Sequence, residues 1–210
     1  GERLRAELTR IWGNPPGWRA LAAVNHSAVG RRFVVTGLAF FAVGGLLAML
    51  MRVQLAVPGN DFIDQDTYNA LFTLHGTTMM FLFAVPILEG FAVYLVPKLI
   101  GARDLLFPRL GAYGYWCYLF GGLLLYAGVL IGAAPDGGWF MYPPLTGPRY
   151  SPGPGADFWL LGVTLAEVSA VTAAVELAST ILTARAPGMT LARMPIFAWY
   201  MLVVAFMILI

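Results

Sequence analysis

The sequence predicts an all-α integral membrane protein, a bundle of five transmembrane helices, and three observations lead to this fold class. Apolar residues make up 59% of the 210 residues and charged residues 11%, against roughly 45–50% and 25% in an average soluble domain. Five apolar runs are each long enough to cross the roughly 30 Å hydrocarbon core of a bilayer as a helix. Most charged residues fall between these runs. The composition disfavours a soluble globule, and the net charge of +2 gives no indication of nucleic-acid binding.

The five apolar runs are the predicted elements in chain order. Each lies between polar breaks, and their approximate limits are 33–55, 70–97, 113–133, 157–183 and 195–210. Residues 1–32 are polar and basic and lack the apolar core of a signal sequence. They form a predicted cytoplasmic segment ahead of a transmembrane domain, 33–210. The fifth run is still apolar at Ile210, so we expect the domain to be truncated at that end.

The distribution of basic residues predicts the orientation in the membrane. Eleven of the 13 Lys and Arg residues lie in the N-terminal segment and in the loops after the second and fourth spans. The loops on the other side contain only Arg52 and Arg149, together with several aspartates. Lys and Arg in short loops resist translocation. The N-terminus is therefore predicted to be cytoplasmic, with the odd-numbered spans running outward.

One histidine lies inside an apolar run, where a polar side chain is costly and by default indicates function. His75, in FTLHGTTMMF, is about six residues into the second span, roughly 9 Å deep at 1.5 Å per residue. A neutral imidazole is a common axial ligand of haem iron. Gly76 is small enough for a flat macrocycle to approach, and Met79 offers a soft apolar contact one turn on. An interhelical hydrogen bond is the alternative role for His75, and small residues also serve ordinary helix packing.

Three glutamates also fall within the spans: Glu89, Glu167 and Glu176. Glu167 and Glu176 are nine positions apart and so lie on opposite faces of the fourth span, whereas Ser169 and Glu176 share a face. That shared face could hydrogen-bond water along a path between helices. Alternatively, each glutamate is protonated or paired with a neighbouring helix, and we prefer this interpretation for Glu89 and Glu167.

Four further residues need no functional site to explain them. Three lie near the ends of spans, and the fourth is a single cysteine. His26, in a basic segment, is predicted to be a surface residue, and Asp104 is predicted to be a solvated loop acid. Arg52 either extends its charge to the interface or meets a haem substituent at the depth of His75. The single cysteine, Cys117, excludes an internal disulfide and a metal site built on cysteines.

Three longer motifs resemble one protein family. The chain is similar to the N-terminal part of subunit I of haem–copper terminal oxidases in YNALFTLHGTTMMFLFAVPILEGFAVYLVPKLIGARDLLFPRL, then GGWFMYPPL, then ARAPGMTLARMPIFAW. The resemblance extends from about Arg31 to the end of the chain. It implies a subunit of twelve or more helices, of which this chain supplies the first five.

The resemblance implies roles for residues around a low-spin haem, a haem a or a similar group. His75 would be an axial ligand of its iron, flanked by Gly76 and Met79. Arg52, in MRVQLAVPG, would contact the haem periphery. Trp139 would lie near the outer haem and the region where electrons enter.

On the cytoplasmic side, the resemblance matches Asp104 to the mouth of a proton-uptake route called the D pathway, which weakens its interpretation as a solvated loop acid. Ser169 matches one of two serines of that pathway and Glu176 a pathway asparagine, while Ala170 replaces the other serine. Three further asparagines that line the pathway in many family members are replaced by Val93, Gly111 and Ala112. These departures leave the stoichiometry of proton pumping open.

For the whole protein, the resemblance implies reduction of dioxygen to water with proton translocation in the inner (cytoplasmic) membrane. In the family, the second ligand of the low-spin haem and the ligands of the high-spin haem and copper lie beyond the fifth helix, so no residue of the oxygen chemistry is expected here. Expected partners are subunit II with the electron-entry site, subunit III or a fused equivalent, cytochrome c or quinol, dioxygen and lipid, but no nucleic acid.

Three alternatives stay open. A nitric-oxide reductase of the same superfamily is one, and the presence of Asp104 argues mildly against it. A quinol oxidase is the second. The third is a non-catalytic membrane transport or assembly protein that uses Glu89, Glu167 and Glu176 as an ion route.

Overall fold

In the part of the chain that the structure describes, all the regular secondary structure is helical. The computed structural model describes residues 2–12 and 16–210, and no strand occurs in these ranges. Two short 3-10 helices are present there, Gly17–Ala22 and Leu191–Arg193. The α-helices are α1 (Glu2–Trp12), α2 (His26–Gln54), α3 (Gln65–Thr77), α4 (Val85–Ile100), α5 (Pro108–Leu130), α6 (Gly155–Thr183) and α7 (Ile196–Leu209). A π-helical segment, Thr78–Ala84, joins α3 to α4.

Within the described residues, 4 helices are long and apolar enough to cross a membrane. They are α2, the continuous helix Gln65–Ile100, α5 and α6, and they correspond to the first four predicted spans. The fifth predicted span corresponds to α7, which has 14 residues and is shorter than a full crossing. A count of five transmembrane helices is therefore not established.

The predicted boundary between the N-terminal segment 1–32 and the membrane domain falls inside a helix, because α2 already begins at His26. Residues 1 and 13–15 of that segment lie outside the described residues. The outward face of α2 is apolar: Val35, Leu46 and Met49 are each more than 60% exposed. Covering such an apolar face with lipid chains costs no free energy, whereas exposing it to water would be unfavourable.

Helix α3 begins five residues before the predicted span because its first turn is polar and capped. The Asp64 carboxylate accepts a hydrogen bond from the Thr67 backbone N–H at 2.8 Å, which satisfies one of the free donors of the first turn. The same hydrogen bond holds the pKa of the Asp64 carboxyl below its usual value. His75 is therefore ten residues into its helix, about 15 Å from the first residue.

Pro86 explains the irregular middle of the helix Gln65–Ile100. Proline has no N–H to donate to the carbonyl four residues earlier, and its ring crowds that carbonyl. The freed Leu82 carbonyl instead accepts a hydrogen bond from the Tyr118 hydroxyl at 2.6 Å. The Val85 N–H donates to the Met80 carbonyl, five residues back, which is the π-helical pattern.

The chain divides into two compact units, each held together by close helix contacts at glycine. The first comprises Gly1–Val35, Pro86–Cys117 and Glu167–Ile210, and the second Thr36–Val85 and Tyr118–Ala166. In the first unit, a Cβ on Gly30 would lie 2.8 Å from the Gly90 carbonyl oxygen, so α2 and α4 approach backbone to backbone. In the second, a Cβ on Gly121 would lie 2.5 Å from the Gly162 carbonyl oxygen. Small residues at such contacts are typical of membrane helices.

Candidate functional site

His75 lies in the second unit with one ring nitrogen fixed by a neighbouring helix. Its Nδ1 is 2.9 Å from the Gly44 carbonyl oxygen on α2. A carbonyl can only accept, so Nδ1 carries a proton, and in the neutral ring Nε2 then keeps its lone pair. Metal-ligating histidines are commonly oriented by a hydrogen bond of this kind. The interhelical hydrogen bond that was the alternative role therefore forms, and it is compatible with ligation through Nε2.

Gly44 allows α2 to come close to the helix that carries His75. A Cβ at this position would lie 2.7 Å from the Met79 sulfur. Because His75 and Met79 are four residues apart, they share a helix face, and that face packs on Gly44. Met79 thus packs at Gly44, and the contact with a haem predicted for it stays a prediction.

Trp139 packs directly on the helix of His75. A Cβ on Gly76 would lie 2.7 Å from the Cβ, Cγ and Cδ1 atoms of Trp139, so the small size of Gly76 admits the indole. The buried Thr73 hydroxyl accepts a hydrogen bond from the Gly138 backbone N–H at 2.9 Å and donates to the Asn69 carbonyl at 2.9 Å. Thr73 therefore holds the residue before Trp139 against α3. The resemblance implies roles at the haem for Trp139 and Gly76, whereas nothing in it implies a role for Thr73.

Two further threonines tie the helix of His75 to aromatic side chains. Thr77 accepts a hydrogen bond from the Trp159 indole N–H at 2.8 Å, and the Thr78 hydroxyl lies 2.7 Å from the Tyr126 hydroxyl. The Phe81 ring lies 6.3 Å from the rings of both Trp139 and Trp159. In the sequence, the only signal for these contacts is a threonine within an apolar run. That signal does not show which side chain the threonine contacts.

Arg52 is exposed near the end of α2, eight residues beyond Gly44 and so about 12 Å along the helix axis. It makes no hydrogen bond or ion pair with a residue of the described ranges. Both roles predicted for it stay predictions.

In the first unit, Asp104 is paired with a histidine that was predicted to lie on the surface. His26 is 1% exposed, so that prediction was wrong. The Asp104 Oδ1 lies 3.0 Å from His26 Nδ1 and accepts the His26 backbone N–H at 3.0 Å and the Leu105 N–H at 2.9 Å. His26 opens α2, where the helix dipole favours a carboxylate. Asp104 is thus fixed through one oxygen at a helix N-terminus and is not an ordinary solvated loop acid.

The intramembrane glutamates of the first unit differ in their surroundings. Glu89 is buried and accepts a hydrogen bond from the Ser169 hydroxyl at 3.0 Å. Glu176 is fully buried, and neither carboxylate oxygen has a hydrogen-bond partner within the described ranges. Glu167 is exposed. Pairing with a neighbouring helix is therefore confirmed for Glu89 but not for Glu167.

Comparison with known proteins identifies the family. Residues 28–210 match the family model described as cytochrome c and quinol oxidase polypeptide I. The chain belongs to this family. It is 44% identical over 183 residues to cytochrome c oxidase subunit 1 of Corynebacterium efficiens, with 87% of this chain and 32% of the relative covered. For the protein of the same name from Corynebacterium diphtheriae the values are 44% over 194 residues, with 92% and 34% covered.

A Streptomyces coelicolor relative, named provisionally as a cytochrome c oxidase subunit 1-beta, is 48% identical over 192 residues, with 91% of this chain and 34% of the relative covered. The chain therefore spans about a third of the length of the curated relatives it matches. Membership of the oxidase polypeptide I family agrees with the multiple apolar helices and marks the chain as a multi-pass membrane protein. The match includes both the His75 region and the Asp104 region.

Proposed function

We propose that this chain is the N-terminal part of subunit I of a haem–copper terminal oxidase that reduces dioxygen to water and translocates protons. The single observation that carries the proposal is the His75 imidazole, held through Nδ1 by the Gly44 carbonyl with Nε2 free. Membership of the oxidase polypeptide I family supports it.

The residues around His75 suit a low-spin haem. Nε2 of His75 would hold the haem iron, with Gly76 and Met79 on the same helix and Trp139 packed against it. When bound, haem iron supplies one-electron transfer. The hydrogen bond from Nδ1 keeps the ring in the ligating tautomer and raises the basicity of the ligand. Arg52 would compensate negative charge at the haem periphery, where a positive side chain is effective in a low dielectric.

The first unit would supply the start of the proton route. Asp104 would collect protons at the cytoplasmic surface, since only one of its oxygens is engaged by His26 and Leu105. Ser169 and Glu176, on one buried face of α6, would continue the route into the membrane. A chain of ionisable side chains inside a membrane protein is the usual form of a proton relay.

The rest of the enzyme would come from outside these residues. We propose that α7 begins a fifth span, that the N-terminus is cytoplasmic, and that the protein lies in the inner membrane. The second axial ligand, the high-spin haem and copper would belong to the remainder of the subunit. Subunit II, subunit III or a fused equivalent, lipid, dioxygen and an electron donor, cytochrome c or quinol, would be its partners.

The experiment is a reduced-minus-oxidised absorption spectrum of the complete oxidase carrying His75→Ala. We expect the low-spin haem band to disappear because its axial nitrogen is lost. His26→Ala, at the other histidine of the chain, is the matched control and should keep the band. A His75→Ala spectrum identical to the wild type would refute the assignment.

A further inference from the structure

A short helix ahead of the first span exposes its large apolar side chains. The 3-10 helix Gly17–Ala22 buries none of its six residues. Trp18 is 88% exposed and Leu21 is 42% exposed, and Val24, two residues beyond the helix, is 39% exposed. Because a 3-10 helix has three residues per turn, Trp18 and Leu21 lie on one face, here called the Trp18 face. An exposed apolar surface of this kind is typical of a place where lipid or another protein binds.

Arg32 fixes this 3-10 helix beside the start of α2. Its Nη1 donates a hydrogen bond to the Leu21 carbonyl oxygen at 2.7 Å, and its Nη2 donates to the Ala23 carbonyl oxygen. The guanidinium carbon also lies 5.0 Å from the centroid of the Tyr115 ring on α5. The Arg32 side chain therefore joins the 3-10 helix to two of the long helices of the first unit.

These contacts place the 3-10 helix near the level at which the hydrocarbon of the membrane begins. Arg32 lies three residues before Val35, about 4.5 Å along the axis of α2. Val35 is 67% exposed and belongs to the apolar outward face of that helix. The Leu21 carbonyl is within one side-chain length of the Arg32 backbone, so the Trp18 face lies close to the same level. Tryptophan is enriched at this level because its ring is apolar and its N–H is polar.

The charges around the Trp18 face are complementary to anionic lipid. Arg19, on the 3-10 helix itself, and Arg31, at the start of α2, are both exposed. No Asp or Glu occurs in the sequence between Glu7 and Asp61. Asp104 does reach the start of α2, but it is engaged there by hydrogen bonds. Exposed arginines next to an apolar face are attracted to the phosphate groups of an anionic membrane surface.

We propose that residues 17–24 are an interfacial anchor that binds anionic phospholipid. The Trp18 face lies among the upper parts of the lipid chains, and the Arg19 guanidinium binds the phosphate of a headgroup, for which its planar fork is suited. These residues precede the part of the chain, 28–210, that matches the family model. The anchor goes beyond the proposed function, because it involves neither the haem nor the reduction of dioxygen.

The first experiment measures the surroundings of two neighbouring positions in the complete oxidase, held in nanodiscs of phosphatidylcholine and phosphatidylglycerol. A nitroxide label is attached to Leu21→Cys or, as the matched control, to Ala22→Cys, with no other accessible cysteine present. Both positions are exposed, but they lie a third of a turn apart. We expect the label at position 21 to be relaxed by dissolved oxygen, which concentrates in lipid, and to be shielded from an aqueous nickel chelate. The label at position 22 should be reached by the chelate.

Two results would overturn the anchor. Equal access of the nickel chelate to both labels would show that the helix lies in water. Shielding of the label at position 21 from both oxygen and the chelate would show that a protein covers the Trp18 face instead of lipid.

The second experiment compares photoreactive phosphatidylglycerol with photoreactive phosphatidylcholine in the same nanodiscs, by the amount of each that is cross-linked to the peptide containing Trp18. The wild type should capture phosphatidylglycerol preferentially. Arg19→Gln should lower this preference about fivefold, which corresponds to about 1 kcal/mol for one basic residue at an anionic surface. Arg149→Gln, an exposed arginine in a loop predicted to lie on the other side of the membrane, is the matched control and should leave the preference unchanged.

Equal capture of the two lipids by the wild type, or a preference that is the same in Arg19→Gln as in the wild type, would contradict the binding of anionic headgroups. The low-spin haem band tests the proposed function separately. Because lipid capture does not depend on the haem, the failure of one proposal is distinguishable from the failure of the other.

Discussion

His75 shows which part of a site can be predicted from single residues. A histidine in an apolar span is visible in the sequence, and the flanking motifs imply a specific role for it. Its partner is the backbone carbonyl of Gly44, 31 residues away, and a carbonyl has no sequence signature. His26 was misplaced for a similar reason: its basic neighbours indicated a wet surface, whereas Asp104, 78 residues away, pairs with it.

Removing the hydroxyl of Thr73 should destabilise the protein. Thr73→Val would leave the buried Gly138 N–H without its acceptor, which typically costs about 1–3 kcal/mol. Trp139 would also be less firmly held, so the low-spin haem band should shift. Denaturant unfolding in detergent and the absorption spectrum measure the two effects.

Thr183→Val is the matched control, because Thr183 also donates to the carbonyl four residues earlier but is exposed. Its effect should stay within about 0.5 kcal/mol. Equal losses in the two variants would show that Thr73 does not anchor the Trp139 loop.

Among whole elements, hydropathy predicted which segments form helices better than where the helices begin. The first four apolar runs each match a described helix long enough to cross a membrane. Both α2 and α3 begin earlier than predicted because their first turns are polar, and caps at Asn25 and Asp64 stabilise them. Window averages of hydropathy cannot detect a cap. The π-helical segment before Pro86 depends on Tyr118 from another helix and was also not predictable.

Adding a single methyl group at the contact between α5 and α6 in the second unit should lower the stability of the protein substantially. Gly121→Ala would place a Cβ 2.5 Å from the Gly162 carbonyl oxygen. Because the obstacle is backbone, the helices must separate, and overpacking of this kind typically costs about 1–3 kcal/mol.

Gly45→Ala is the control, since a Cβ there meets no heavy atom within 4 Å. It should be neutral or slightly stabilising, because alanine is the better helix former. Unfolding in detergent would measure both variants. Equal stability of Gly121→Ala and the wild type would contradict the close approach of the two helices.

For the molecule as a whole, family membership covers nearly the entire chain, yet the chain is about a third of its relatives. The sequence therefore predicts a multi-pass oxidase segment, whereas its orientation rests on the charge bias alone. Eleven of 13 basic residues fall on the side predicted to be cytoplasmic.

Cysteine labelling tests that orientation. In a Cys117→Ser background, a membrane-impermeant maleimide should label Asp61→Cys in intact spheroplasts, because Asp61 lies in a predicted outer loop. Ala192→Cys, in a predicted cytoplasmic loop, should be labelled only after permeabilisation. Both positions are exposed. The reverse pattern would invert the topology.

The most direct test of the central claim, that His75 ligates the low-spin haem, is chemical rescue of His75→Gly in the complete oxidase. The glycine leaves a space into which free imidazole can enter. The account predicts that the low-spin haem band is absent in the variant and returns when imidazole is added. A full low-spin band in His75→Gly without imidazole would contradict it.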